Sequence, residues 1–165
     1  MKSQPPAGQT VADPFSPEAL GPMLETARAL QHASRTGATR PLLKGRIFAV
    51  LCAVGDDSPG DVALIDRAAT ELGARVAHIR PHLTERSDPH TVELTAQMLG
   101  RLYSAVVCQD LAPALLRRLG AVAGIPIHGG LDAPGHAVSR VAGLLGGTAD
   151  DRKFALQALL LRSVA

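Results

Sequence analysis

The chain has 165 residues, 46% of them hydrophobic and only 2% aromatic, and its 17 basic and 15 acidic residues leave a formal charge of +2. This length suits one domain with a sizeable core, and because Trp is absent that core must consist mainly of Ala, Leu, Val and Ile. The charges are spread along the chain, with no basic run and no aromatic residues between basic ones, which argues against nucleic acid as a partner.

Neither a membrane span nor a secretion signal is visible in the sequence. No stretch approaches the roughly 18 consecutive apolar residues of a spanning helix. Residues 1–14 lack the apolar segment of a signal peptide, so we predict a cytoplasmic protein without a membrane partner. Cys52 and Cys108 each lie inside an apolar run, which favours buried thiols over a disulfide or a metal pair.

The chain begins with a segment unlike the rest. Residues 1–13 are rich in Pro, Gly, Gln and Ser and are predicted to form a flexible arm, followed by a single domain over residues 14–165. Ser16-Pro17-Glu18 has the residues of a helix start, and apolar residues then recur at helical spacing as far as Leu30. Residues 46–54 form a continuous apolar run, which predicts a strand buried on both faces.

Predicted strands and helices alternate from that first strand onward. The later strands are predicted at residues 75–79, 105–108 and 125–127, and the helices between the strands at 62–72, 91–103 and 112–122. This alternation indicates right-handed βαβ units, and therefore a single three-layer, Rossmann-like α/β domain with a four-stranded parallel sheet. Helices at 136–145 and 150–162 follow. The N-terminal and C-terminal helices are expected to pack on the domain, the last one through Leu156, Leu159, Leu160 and Val164.

Parallel α/β sheets bind ligands beyond the carboxyl ends of their strands, which draws attention to loops 55–60, 80–89, 109–111 and 128–136. Asp56 and Asp57 follow the first strand and Asp110 follows the third, as acidic residues do in response-regulator receiver domains. The receiver interpretation fails because no lysine follows a later strand. A magnesium ion at these three aspartates remains a hypothesis that soaking would test.

Several phrases in the chain occur in the order that carbamoyltransferases use. Residues 42–46 (LLKGR) resemble the opening of that family's first strand, and residues 125–131 (IPIHGGL) resemble its "VPVINGL" phrase. Asp150-Asp151-Arg152 is similar to the "ENR" phrase at the start of its last helix. The chain thus resembles the carbamoyl-phosphate domain of ornithine and aspartate carbamoyltransferases. The resemblance implies a homo-oligomer, a trimer in that family, which keeps the returning C-terminal helix but lacks the second, amino-acid-binding domain.

The residues that bind phosphate in that family are mostly replaced. Its "STRT" loop falls on Ser58-Pro59-Gly60-Asp61, where only the serine is kept and Gly60 replaces the arginine. Helix N-termini attract anions through free N–H groups and the helix dipole. Pro59 removes one such donor and three aspartates add negative charge to the loop, so we expect the loop to disfavour a phosphate.

Two further family motifs can be placed. The arginine and threonine after the third strand fall on Gln109 and Asp110. The "HPxQ" motif falls on residues 136–139, which keep the histidine that polarises the carbamoyl carbonyl and replace the glutamine. Arg86 lies in the loop that the family extends into a neighbouring subunit's site. The candidate ligand-binding residues are therefore Ser58, Gly60, Gln109, His136, Ser139 and, in trans, Arg86.

His136 is the single catalytic candidate, as a hydrogen-bond donor to an oxyanion, although such a residue is more often a helix-end or packed histidine. His128, next to a strand end, is a second candidate with the same qualification. A metal site from His128, His136 and Asp132 matches no recognised ligand pattern, so neither a metal nor a cofactor is predicted.

These replacements predict a carbamoyltransferase-like protein without catalytic activity, acting as a small-molecule-binding or oligomeric regulatory module. Carbamoyl phosphate is disfavoured as its ligand, whose identity the sequence leaves open. The alternative is a divergent carbamoyltransferase whose site is completed by another subunit or chain. A third interpretation is a structural partner of a full-length carbamoyltransferase.

Overall fold

The computed structural model describes residues 17–52, 59–131 and 133–164. The helices in these ranges are α1 (Pro17–Arg35), α2 (Pro59–Glu71), α3 (Pro89–Leu102), α4 (Pro113–Ala123), α5 (Ala137–Leu145) and α6 (Ala149–Val164). The strands are β1 (Ile47–Cys52), β2 (Arg75–Ile79), β3 (Ala105–Gln109) and β4 (Ile127–His128). The predicted arm at residues 1–13 lies outside the described residues.

The four strands form one parallel sheet in the order β2-β1-β3-β4, which confirms the predicted α/β class. The register places Phe48 opposite Val76 on one side and opposite Ala105 on the other. The predicted strand at 125–127 is displaced towards residue 128. Pro126 has no N–H to donate and contributes only its carbonyl, which accepts from the Val106 N–H at 2.9 Å.

Side chains of the central strands alternate between two hydrophobic clusters, one on each face of the sheet. Phe48, Val50 and Cys52 enter one cluster, whereas Ala49 and Leu51 enter the other. The first cluster packs beneath α1, α2, α5 and α6, and the second beneath α3 and α4. Burial of β1 on both faces explains why its sequence shows no polar alternation, as predicted.

Helix α6 is buried on nearly every side, because it packs against α1, α2, α5 and the sheet. The expected contacts are confirmed: Leu156, Leu159 and Leu160 are buried, and Val164 is partly buried against the same cluster. The buried length of α6 also contains three polar residues, Asp151, Lys153 and Gln157, which the hydrophobic pattern did not predict.

Helices α3 and α4 pack closely over the opposite face of the sheet. A Cβ atom at Gly100 would lie 1.9 Å from the carbonyl oxygen of Ala123, so only glycine permits this approach.

The cysteines are as predicted: Cys52 and Cys108 are both buried and neither forms a disulfide. Burial, reinforced by the neighbouring Cys52, raises the pKa of the Cys108 thiol to about 12. Within the described ranges, no helix combines the length and apolar character needed to cross a membrane.

Candidate ligand site at the carboxyl edge of the sheet

The parallel register brings two of the candidate residues to the same edge of the sheet. Gln109 ends β3 opposite Cys52 of β1, and His128 ends β4 opposite Val107 of β3. Helix α5 begins beyond this edge, with His136 as its N-cap. Ser58 lies outside the described residues, as does the environment of Gly60 in the first turn of α2, and their ligand-binding roles stay predictions.

His136 is completely buried and serves as a helix cap. Its Nδ1 accepts the backbone N–H of Val138 at 3.1 Å, which satisfies one of the donors that the start of α5 leaves free. A ring nitrogen that accepts this hydrogen bond carries no proton, so the proton of the neutral ring is on Nε2. The retained histidine therefore has a structural function, and its ring has no exposed surface towards solvent.

His128 makes a different contact, with the last turn of α6. Its Nε2 lies 2.7 Å from the Ser163 hydroxyl, which itself donates to the carbonyl of Leu159 at 2.8 Å. Since a serine hydroxyl has a single proton, His128 must donate to Ser163. A nucleophilic serine needs a histidine that accepts its proton, so this pair is not an activated nucleophile.

Burial governs the charge of His128, whose pKa falls to about 4 because the buried ring loses hydration; nearby His136 adds to the lowering. His128 is therefore neutral at physiological pH. This contact joins the end of β4 to the end of α6 through neutral hydrogen bonds, which suits a structural connection at the edge of the site.

Ser139, in the first turn of α5, is also engaged within the protein. Its hydroxyl donates to the carbonyl of Leu131 at 2.9 Å and faces Nη1 of Arg152 at 3.4 Å. Arg152 comes from the first turn of α6, so it brings a positive charge towards the loop before α5. In the sequence, Arg152 is recognisable only as part of the motif at a helix start, whereas Ser163 belongs to no motif.

Two further candidates, Gln109 and Arg86, lie at the end of β3 and in the loop after β2. Gln109 is half-buried, and Asp110 follows it with a positive φ of 53°. Arg86 is exposed in the loop between β2 and α3, away from any described contact of its guanidinium. That loop is held by Leu83, which is buried in the second cluster, and by Arg118, whose guanidinium lies 3.5 Å from the Glu85 and Ser87 carbonyls.

Each of the two hypothetical metal sites includes an aspartate outside the described ranges. No group of three or more His, Cys, Asp or Glu residues suited to a metal occurs in the ranges that the structure describes. The magnesium site would need Asp56 and Asp57, and the site with His128 and His136 would need Asp132. These three aspartates lie outside the described ranges.

Comparison with known proteins identifies the fold. No protein-family model matches the chain. Ornithine carbamoyltransferase from Burkholderia thailandensis matches with a TM-score of 0.64 and 19% identity, over 76% of this chain and 43% of that one. Ornithine carbamoyltransferase from Pyrococcus furiosus matches with a TM-score of 0.60 and 23% identity, over 68% of this chain and 36% of that one. The catalytic subunit of M. jannaschii aspartate transcarbamoylase matches with a TM-score of 0.62 and 19% identity, over 78% of this chain and 42% of that one.

These matches confirm the resemblance that the motifs indicated, at the level of the fold. The chain spans between 36% and 43% of the length of these three structures.

Proposed function

We propose that this protein is a carbamoyltransferase-like module without carbamoyl-transfer activity, which acts by binding a small molecule or by assembling as a regulatory oligomer. The observation that carries the proposal is the state of His136. Its Nδ1 caps α5 and its ring is completely buried, so the Nε2 donor has no exposed surface on which to meet a molecule above the sheet. The histidine that the resemblance implies for catalysis thus has a sufficient structural role.

Charge at the site supports the same proposal. In carbamoyl transfer an amine attacks the carbamoyl carbon, the C–O bond to phosphate breaks and phosphate leaves with negative charge that the site must stabilise. Gly60 and Gln109 stand where the resemblance implies arginines. Arg152 contacts Ser139 of the last motif, but it lies on α6 rather than at the start of α2.

The alternative, a divergent carbamoyltransferase, depends on Arg86. This residue is exposed on a loop anchored at both sides, so its guanidinium is available to a neighbouring subunit. In that case the resemblance implies a homo-oligomer in which each site receives one arginine from a partner. A trimer is part of this proposal, and light scattering after size exclusion would test it by measuring the molar mass of the assembly.

Isothermal titration with carbamoyl phosphate tests the proposal, with inorganic phosphate as the matched control. We expect no binding of either tighter than about 1 mM, a free energy near −4 kcal/mol. The variant Gln109→Arg restores the family residue and should strengthen any weak binding. Carbamoyl phosphate binding at micromolar concentration, with carbamoylation of ornithine or aspartate that Arg86→Ala abolishes, would establish the alternative.

A further inference from the structure

Helix α3 carries a stripe of large apolar side chains that face solvent. Leu94, Met98 and Leu102 follow one another at intervals of four residues, so they lie along one side of the helix. Their exposed fractions are 52%, 42% and 56%. Val92, Ala96 and Leu99 bury the inner face of the same helix, so the stripe is additional to the surface that packs on the sheet.

The stripe lies on the flank of α3 that α4 leaves free. Gly100 marks the flank in contact with α4, through its close approach to Ala123. Because successive helical residues are rotated by about 100°, Met98 and Gly100 lie on nearly opposite sides of the helix. The stripe therefore faces away from α4, towards the side of the sheet where β2 forms the edge.

Strands near that edge extend the apolar surface. Ala77 and Ile79 are register partners of Ala49 and Leu51, which lie in the core under α3 and α4, yet both remain half-exposed on the edge strand β2. Ile47 is 37% exposed, and its carbonyl accepts the N–H of Ser104, two residues after Leu102. We call Leu94, Met98, Leu102 and Ile47 together the α3 outer surface.

The rim of the α3 outer surface is basic. Arg75 is the register partner of Ile47 on β2, and Arg101 neighbours Leu102. Both side chains are exposed, and within the described ranges no carboxylate lies within 4 Å of either of them. Exposed guanidinium groups beside an apolar stripe make this a surface suited to a partner with negative charge.

We propose that the α3 outer surface binds an amphipathic helix of another protein, whose apolar side packs on the stripe and whose flanks carry Asp or Glu. The spacing of Leu94, Met98 and Leu102 matches the anchors by which helices dock on one another. The acidic flanks would meet Arg75 and Arg101 across the rim, which fixes the orientation of the partner and accelerates its association.

Two other occupants fit less well. A second copy related by two-fold symmetry would bring the same arginines together, because such a contact pairs one patch with itself. An anionic lipid surface would meet the arginines, but as a flat surface it would reach α3 without covering the half-buried Ala77 and Ile79 of the neighbouring strand. A helix beside α3 covers both and adds a third helix to the two-helix layer.

The test uses two synthetic helical peptides with the same leucine spacing, one with Glu and one with Lys at the flanking positions. Fluorescence anisotropy measures their binding to the full chain and to two variants, Leu102→Asp and Leu144→Asp. Leu144 is a matched control, since it is 57% exposed against 56% for Leu102 but lies on α5, on the opposite face of the sheet. Circular dichroism verifies that both variants are folded.

We expect the Glu peptide to bind about tenfold or more tightly than the Lys peptide, because only the first complements the arginines. Leu102→Asp should weaken its binding by about tenfold or more, as expected for a central apolar contact, and Leu144→Asp by less than about twofold. Absence of Glu-peptide binding, equal binding of both peptides, or equal losses in both variants would each overturn the proposal.

The remaining occupants give distinct results in the same series. An oligomer that Leu102→Asp dissociates while Leu144→Asp does not would identify a second copy as the occupant. Co-sedimentation with phosphatidylserine vesicles that only Leu102→Asp abolishes would identify a lipid surface. Both results would overturn the proposal of an acidic helix, and neither depends on whether carbamoyl phosphate binds, so failure here is distinguishable from failure of the proposed function.

Discussion

Helix α6 buries apolar and charged side chains, whereas the outer side of helix α3 exposes side chains of the same types. On α6, apolar and charged side chains are buried together, and Lys153 lies 3.0 Å from Glu71 with its Nζ also 4.6 Å from the Phe154 ring centroid. On α3, Leu94, Leu102 and Arg101 are exposed on the same helix, and within the described ranges no carboxylate lies within 4 Å of Arg101. The first arrangement stabilises the chain itself, whereas the second leaves its interactions for another molecule.

Polar residues on α6 are buried because each finds a partner there. Gln157 donates to the carbonyl of Ala68 at 3.1 Å and to Glu71 at 3.2 Å. Asp151 accepts from Gln31 at 3.0 Å and from the Thr148 N–H at 3.1 Å, while the Thr148 hydroxyl accepts the Asp151 N–H, as in a capping box. Buried polar groups that are fully satisfied in this way dock α6 in one position.

The largest difference should come from truncating a leucine in each region. Leu160→Ala, at 1% exposure, should lower the free energy of unfolding by about 3 kcal/mol, because it removes buried methyl groups and leaves a cavity. Leu102→Ala on α3 should change it by less than about 0.5 kcal/mol. Urea unfolding followed by circular dichroism measures both, and similar losses in the two variants would contradict the contrast between the regions.

A pH effect of similar size should arise where α6 meets β4. His128 binds a proton near its ordinary pKa of 6.5 in the unfolded chain but only near 4 in the folded one. Folding stability should therefore decrease as the pH falls from about 6.5 to about 4, by on the order of 3 kcal/mol.

The variant His128→Asn keeps a donor for Ser163 but cannot titrate, so its unfolding free energy should vary less over this interval. Urea titrations at a series of pH values compare the two proteins. Parallel curves for the wild type and the variant would show that another group controls the acid sensitivity.

A smaller loss is expected from the ion pair between α2 and α6. Glu71→Gln leaves the Lys153 ammonium, 5% exposed, without a carboxylate, and should lower the unfolding free energy by about 2 kcal/mol, less than for a fully buried pair because Glu71 is 35% exposed. Adding Lys153→Met to Glu71→Gln should recover part of this loss, which a double-mutant cycle measures. Additive losses would show that the two side chains are not coupled.

Glu71 also contributes to acid sensitivity below the range of His128. Burial alone would raise its pKa, but the Lys153 hydrogen bond and charge, with Arg67, hold the pKa below the ordinary 4.5. The stability from this group is present above pH 4.5 and is lost as the pH falls through the lowered pKa.

The smallest effect should come from Arg67, which pairs with Glu71 at 3.1 Å and with Asp150 at 3.7 Å but is 58% exposed. Exposed pairs of this kind contribute little, so Arg67→Ala should lower the unfolding free energy by less than about 0.5 kcal/mol. Thermal unfolding at low and high salt checks this, and a loss that approaches that of Glu71→Gln would show that the exposed pair matters to the docking of α6.

The sequence by itself determined the order and type of every described helix and strand, and the parallel sheet. It could do so because apolar periodicity, proline at helix starts and glycine at turns act over a few residues. The continuous apolar run of β1 also predicted burial on both faces, and four leucine and valine positions predicted the docking of α6.

Only the tertiary structure decided what the polar residues do. The motif at residue 136 did not specify that this histidine is the buried cap of α5, which the fold makes it, nor that Ser163 is a partner of His128 across 35 positions of sequence. The exposure of Leu94, Met98 and Leu102 was likewise undecided by a pattern that fits core and surface equally. Burial and hydrogen-bond partners depend on which elements pack against one another, and the spacing of residues within one element does not specify its neighbours.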